Sequence, residues 1–395
     1  MNKWRIILIA AVLSVVNYSF AQYEQVADTV FFSGNSGPVK SVIHYRVINQ
    51  DSIKEGPAAY YYSTGKLWQT GSHKDDKMDS LWVIYYPNGR ARSEITFREG
   101  LKNGPFTYYF ENGKIKNTGT YLKDSLTGLM TLYYESGIVQ ETRMYEHNKL
   151  NGITTGYYPD GNMRFRFEYA DSIKNGIFED YFPSGKIKEK GYIRDRIYVD
   201  DFFTYHENGT IEKVIHYVNG QIEGPYHVFW DNGKPQIITT YVNGKINGLY
   251  QLFYKEGGLY EAGQYVMDKR EGPWNSYYPD SALYMEGKYF NGTPNGIWKV
   301  YHPNGQLKQI GEFKDGISVG PWQFYYSNGL MKMKGTFVNN DEQGNWVYFY
   351  ENGKVKMDLN YNNGVLEGIQ AGYDEEGNLV EKAEYFEGQL VRKIK

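Results

Sequence analysis

The chain has 395 residues, a formal net charge of -3, no cysteine and 40 tyrosines. Without cysteine neither a disulfide framework nor a zinc-thiolate site is available, and the small acidic balance argues against nucleic acid or anionic lipid as a general partner, since phosphate binding needs a concentrated basic surface. A mean hydropathy of -0.62 beside 17% aromatic residues describes a chain that buries little pure hydrocarbon and relies on rings with polar tips.

Residues 1–21 read as a cleavable signal peptide. Lys3 and Arg5 precede an apolar run of 11 residues, 6–16, too short to span a bilayer, and Ser19 and Ala21 supply the small-residue site after which cleavage is expected. The expected location is therefore outside the cytoplasm: periplasmic, cell-surface or secreted. No later segment resembles a transmembrane helix, so no integral membrane segment is expected after cleavage.

Residues 22–55 preserve half of a repeating unit and are expected to cap the array, with Gly37-Pro38-Val39 as a turn and 42–47 as a strand. From Gly56 to residue 391 a glycine-plus-aromatic pattern recurs every 24 residues, fourteen times, with no insertion or deletion. One turn position is glycine from Gly65 to Gly377, with Ser281 the only substitute, and one aromatic position is filled without exception from Tyr61 to Tyr373. Self-similarity at constant spacing marks a repeat array rather than two or three ordinary domains. Residues 392–395 form a basic tail whose charges would discourage edge-to-edge stacking.

The consensus, close to G-P/I-W-x-x-Y-Y-x-N-G-K-L-x-x-x-G-x-Y-x-x-G, places two short runs around an Asn-Gly turn, the strongest short-range hairpin signal. A two-residue loop would put Trp274 opposite Gly287 and Tyr278 opposite Leu283 on one face, with Tyr277 on the other. Trp298 with Gly311, Trp322 with Gly335, Phe106 with Gly119 and Phe178 with Gly191 repeat the ring-over-glycine pair, in which an aromatic covers the gap that a strand glycine leaves. Trp82 opposite Ile95 departs from it. The second face carries the aromatic column with Pro, Ile or Leu beside it, and Lys or Arg at Arg92, Lys116, Arg164, Lys188, Lys308, Lys332 and Lys356. The expected fold is all-β: an elongated single-layer antiparallel sheet of stacked β-hairpins, rising roughly 10 Å per repeat and about 130 Å in all.

This pattern of aromatic pair, Asn-Gly-Lys, then Gly-x-Tyr and a further glycine resembles the MORN repeat in its bacterial variant form, over residues 56–391. The resemblance implies stacked hairpins and a general role in interaction. Family members are often described as antitoxin-type components of toxin-antitoxin systems, an antitoxin-like role that an exported chain fits poorly.

Catalysis finds no support. The seven histidines are scattered; His206 and His302 replace the second aromatic of the pair, and Asp200-Asp201 and Asp341-Glu342 are expected at inter-unit turns. No catalytic, cofactor-binding or metal residue is assigned, and no cofactor is expected. The function read from the sequence is a non-enzymatic scaffold that binds a protein partner in the cell envelope or outside the cell. The alternative is a polysaccharide, glycan or peptidoglycan, lying along the ladder Trp274, Trp298, Trp322 and Trp346, whose one-repeat spacing is near a two-sugar step. The stretch 191–209, where Ile193, Arg196 and Asp200 break the consensus, is the second irregularity.

Overall fold

The computed structural model describes residues 24–34 and 37–395; the signal-peptide reading of 1–21 lies outside the described residues. The fold is all-β, a single layer of antiparallel hairpins comprising 35 strands, with no helix among the described residues. Contacts divide the chain into two units, 1–149 and 150–395. The first holds a leading hairpin and the repeats that begin at Gly56, Ser80, Gly104 and Gly128; the second holds the ten that begin at Gly152 and end with that of Gly368. In the leading element Glu24–Phe31 pairs antiparallel with Val39–Ile48. At the other end Arg392 and Lys393 lie in the strand Gln389–Lys393, and Arg392 is bonded to Glu384 at 2.6 Å.

Each repeat uses two kinds of turn, and they are distributed differently from expectation. At the Asn-Gly site the Tyr86 N–H donates to the Arg90 carbonyl at 2.8 Å and the Gly89 N–H donates to the Tyr86 carbonyl at 2.9 Å. Of Pro87, Asn88 and Gly89 only Gly89 is left-handed, at φ 88°. This is a type I turn closed by a left-handed glycine, with a bulge in the following strand, not a two-residue loop. Leu283 accordingly faces Tyr277 across the bulge, and Tyr278 belongs to the turn. Two residue choices explain the outcome. The Asn88 side chain accepts the Arg90 N–H at 3.0 Å, and proline at 87, 159, 183, 279 and 303 presets the negative φ that the first central residue of a type I turn requires.

The two-residue loop with both residues left-handed lies at the connection between repeats. Asp75 and Asp76 have φ 48° and 63°, Asn219 and Gly220 49° and 79°, and Lys74 pairs directly with Lys77. The glycine that leads each repeat supplies a further bulge: Ala262 pairs with Asn275 and Gln264 with Glu271, so Gly272, Pro273 and Trp274 share the space opposite Gly263. Ser80 and Asp200 keep that left-handed conformation, at φ 61° and 60°. Since a side chain in this region costs about 1 kcal/mol, Asp200→Gly is expected to raise the chemical-denaturation midpoint by a corresponding amount. An unchanged or lowered midpoint would show that Asp200 makes a compensating contact.

The irregular stretch around Asp200 pairs in the ordinary register, Lys190 with Phe203 and Tyr192 with Val199, with Arg196 left-handed at φ 72° in the place of the late glycine. Asp200-Asp201 and Asp341-Glu342 lie in the strands Ile197–Tyr205 and Asp341–Phe349, not in turns. They sit there because the two-residue loops close at Asp195-Arg196 and Asn339-Asn340.

The core is one face of the sheet. The Cα partner of Trp274 is Gly287, as expected, but its ring lies on Gly263 in the preceding strand, where a Cβ would overlap it. The same holds for Trp82 on Gly71, Trp298 on Gly287, Trp322 on Gly311 and Trp346 on Gly335. The three-residue bulge at the leading glycine tips the ring back across the repeat boundary. Trp82, the exception inside its own hairpin, therefore obeys the operative rule. Phe106 and Phe178 do cover their own partners Gly119 and Gly191.

In the second unit the tryptophans alternate with a tyrosine or phenylalanine in an unbroken edge-to-face series. Tyr265–Trp274 (5.4 Å, 85°), Trp274–Tyr289 (5.7 Å, 80°) and Tyr289–Trp298 (5.1 Å, 88°) begin it, and Phe313 and Phe337 carry it on to Trp346. Such pairs contribute about 0.5–1.5 kcal/mol each beyond area burial.

Partial burial of phenols makes alkaline stability predictable. Desolvation, with a bond to Glu179, pushes Tyr181 up to about 12, and desolvation with Tyr361 nearby pushes Tyr348 up to about 12. A raised folded-state pKa leaves stability intact below the unfolded value near 10 and removes it as pH rises through the folded value. Stability should therefore fall between pH about 10 and 12. Tyrosinate absorbance should show a late-ionising class that collapses onto the ordinary one in denaturant; a single class in the native protein would contradict this.

Candidate functional site

The four ladder tryptophans are core residues. Trp274 and Trp346 are 0% and 1% exposed, and Trp298 and Trp322 are also buried. One face of each ring rests on a backbone glycine and its edges meet neighbouring rings. Trp274 is further closed by the Arg270 guanidinium, 4.4 Å from its centroid, and by its own N–H donated to Glu261 at 3.3 Å. These rings present no face on which a sugar could lie.

At the Asn-Gly edge, the second aromatic of most pairs bonds to the next repeat; Phe110 and Phe182 hold the position without a side-chain donor. The Tyr86 hydroxyl donates to the Tyr109 carbonyl at 2.8 Å, and Tyr62, Tyr158, Tyr254, Tyr278, Tyr326 and Tyr350 do the same 23 residues ahead. His206 and His302 stand in this column with Nε2 against the carbonyls of Phe229 and Tyr325, and Trp230 donates to Phe253. A ring nitrogen replaces a phenol at the same task, so these histidines are structural. The turn asparagines add a second tie, as when Asn304 donates to the Ser327 carbonyl.

The other histidines are equally dispersed. His73 packs edge-on to Trp82 at 5.0 Å, with burial lowering its pKa, and His216 bonds Asp201 at 2.8 Å. Among the described residues no three His, Cys, Asp or Glu side chains converge as a metal site would require.

The face opposite the tryptophans is the surface that carries unassigned chemistry. The residue after each leading glycine is exposed and usually apolar: Leu81 and Leu129 in the first unit; Ile153, Ile177, Leu249, Ile297 and Ile369 in the second, with Ile297 60% exposed. Proline occupies it at Pro57, Pro105, Pro225, Pro273 and Pro321, and only Asp201 and Asn345 interrupt the row. The invariant aromatic column lies on the same face, half-buried and tied down by polar neighbours, as when Tyr301 donates to Glu286 at 2.8 Å. Shallow notches form between consecutive repeats, of about 280 Å³ between Pro273 and Ile297 and about 220 Å³ between Ile297 and Pro321. The sequence located this row; its exposure follows from the sheet being covered on the tryptophan side alone. The cations expected on this face lie instead at the Asn-Gly edge on the tryptophan side, over the second aromatic of the pair: Arg92 over Tyr86, Lys116 over Phe110, Lys332 over Tyr326 and Lys356 over Tyr350. The same position in the first repeat is Trp68, which packs on Tyr60 beside Trp82.

A family model described as MORN repeat variant matches residues 54–75, 102–123, 126–147, 150–171, 174–195, 201–219, 294–315, 318–339, 342–363 and 366–387. No curated protein matches. Among solved structures the chain is similar to TcdB2-TccC3 at 10% identity and TM-score 0.14, covering 94% of this chain and 28% of that one. It is similar in the same way to TcdB2-TccC3-Cdc42, at 10% identity and TM-score 0.13 over 92% of this chain and 27% of that one. The chain thus spans little more than a quarter of those chains, and at such TM-scores the likeness carries no argument.

Proposed function

The chain belongs to the MORN repeat variant family, and from that premise we propose that it is a non-enzymatic scaffold which docks a protein partner along the face opposite its tryptophans, in the cell envelope or outside the cell. The observation that carries this reading is the exposed apolar row, repeated at 24-residue spacing and flanked by half-buried aromatics. Solvent-exposed apolar residues in single positions are ordinary, but a contiguous row rimmed by polar groups marks an interaction surface. Repeat arrays use such extended surfaces for partners.

The residues at the start of the chain support export, and the dispersed histidines and carboxylates support a role without catalysis. No observation favours the glycan alternative, since the rings assigned to it are enclosed. The test is capture of the mature protein from its own envelope. One stoichiometric protein should co-purify with the wild type and be lost, about tenfold or more, with Leu249→Lys/Ile297→Lys, whose exposed positions leave circular dichroism and melting unchanged. Retention of the partner by this variant, or retention of the chain on a polysaccharide column instead, would overturn the proposal.

A further inference from the structure

The geometry points to a specific partner chemistry for one stretch of the second unit: Lys308, Lys332 and Lys356 dock an acidic polypeptide segment that crosses the strands in the polyproline II conformation. The inference rests on the reading that the chain docks a protein and adds a second contact for that partner: the lysines stand at the Asn-Gly edge on the side of Phe324 and Trp322, not in the row of Leu249 and Ile297.

The three lysines occupy one position in three consecutive repeats and are exposed. Lys332 and Lys356 are also preorganised. Lys332 Nζ stands 5.7 Å from the Tyr326 ring centroid and Lys356 Nζ 5.4 Å from that of Tyr350. Each of those rings is pinned through its hydroxyl to the next repeat, Tyr326 to the Phe349 carbonyl and Tyr350 to the Tyr373 carbonyl, both at 2.8 Å. In the repeat of Lys308 the equivalent position is His302, held to the Tyr325 carbonyl at 3.0 Å and lining the same notch as Lys308. Ring contact fixes the direction of the Lys332 and Lys356 charges while leaving each ammonium able to meet an anion. Between Lys308 and Lys332 lies a notch of about 290 Å³ walled by Phe324, Tyr325 and Tyr326.

Charge selects an acidic partner, and spacing selects its conformation. One repeat contributes two antiparallel strands and so separates successive lysines by roughly 10 Å. A polyproline II segment repeats every three residues, a rise of about 9.3 Å, bringing every third side chain to the same side. Carboxylates three residues apart would meet the lysines one for one, and the intervening residues would reach the aromatic notch. A partner in β conformation would turn residues three apart to opposite sides. The track is local, because Glu212, Gln236, Tyr260 and Tyr284 occupy the lysine position in the four repeats before it.

The experiment uses the full mature chain and two labelled peptides of identical composition, one with glutamate at every third residue separated by prolines, the other with the glutamates contiguous. Fluorescence anisotropy should show the spaced peptide binding about tenfold more tightly, and Lys308→Ala/Lys332→Ala/Lys356→Ala should lose about tenfold with unchanged circular dichroism. Equal binding of the two peptides, an unaffected triple variant, or binding of a polyuronate in place of the spaced peptide would each overturn the inference. If the triple variant still captures the partner that Leu249→Lys/Ile297→Lys loses, the lysine track is wrong and the scaffold reading stands. If neither variant affects capture, both fail.

Discussion

Trp274→Ala should remove about 3–5 kcal/mol of stability, the cost of deleting a large aromatic from a closed site. The side chain is fully buried, lies on Gly263 and meets Tyr265 and Tyr289 edge-on at 5.4 and 5.7 Å. Its loss opens a cavity, breaks the alternating series at an interior rung and leaves the Arg270 guanidinium without the ring it covers. Because a repeat array is held by nearest-neighbour interfaces, a weakened interior interface should also separate the unfolding of the repeats on either side. Urea denaturation followed by tryptophan fluorescence would show a lower and broader transition. Trp68, which is 41% exposed, provides the comparison: Trp68→Ala should cost less than about 1 kcal/mol. Equal effects of the two substitutions would refute the assignment of Trp274 to the core.

Gly263→Ala should destabilise by about 1–3 kcal/mol through overpacking, although alanine in a strand ordinarily improves on glycine. The added methyl would fall within the Trp274 ring, which cannot move without disturbing Tyr265 and Tyr289. Gly372 reverses the sign. The nearest atom to an added Cβ there is Glu381 Cβ at 3.9 Å, so Gly372→Ala should stabilise by about 0.4–1 kcal/mol by restricting the unfolded chain. Combining Gly263→Ala with Trp274→Ala should cost clearly less than the sum of the single changes, since the methyl then enters the space the indole vacated. Strict additivity in that double-mutant cycle would mean that ring and glycine do not share the site.

The period, the hairpins and the Trp274–Gly287 pairing were legible in the sequence because alternation and a constant repeat fix which residues face each other. The direction in which each indole lies was not. It depends on a left-handed bulge at Gly272, a backbone feature that the alternation rule does not encode. Turn types were misread for a related reason. Asn-Gly occurs both at Asn88-Gly89 and at Asn219-Gly220, yet only the second site has both residues left-handed. Pro87 was the discriminating signal, since it cannot take positive φ and favours the longer turn.

The candidate surface was half legible. Leu249 and Ile297 could be assigned to the second face, but that this face stays open follows from where the aromatic layer packs. The ladder from Trp274 to Trp346 drew attention as a row of rings, and burial, which a one-dimensional pattern does not carry, made it interior.

The ties between repeats have a kinetic meaning. The Tyr86 hydroxyl reaches a carbonyl 23 residues ahead, and the other ties in its column span the same distance. Large β-structures usually fold slowly because their contacts join distant parts of the chain, and loop closure opposes each one before it forms. Here the contact order is low for so long a β-protein. Each hairpin needs only the one before it, so the array can grow vectorially as the chain emerges, adding one hairpin at a time.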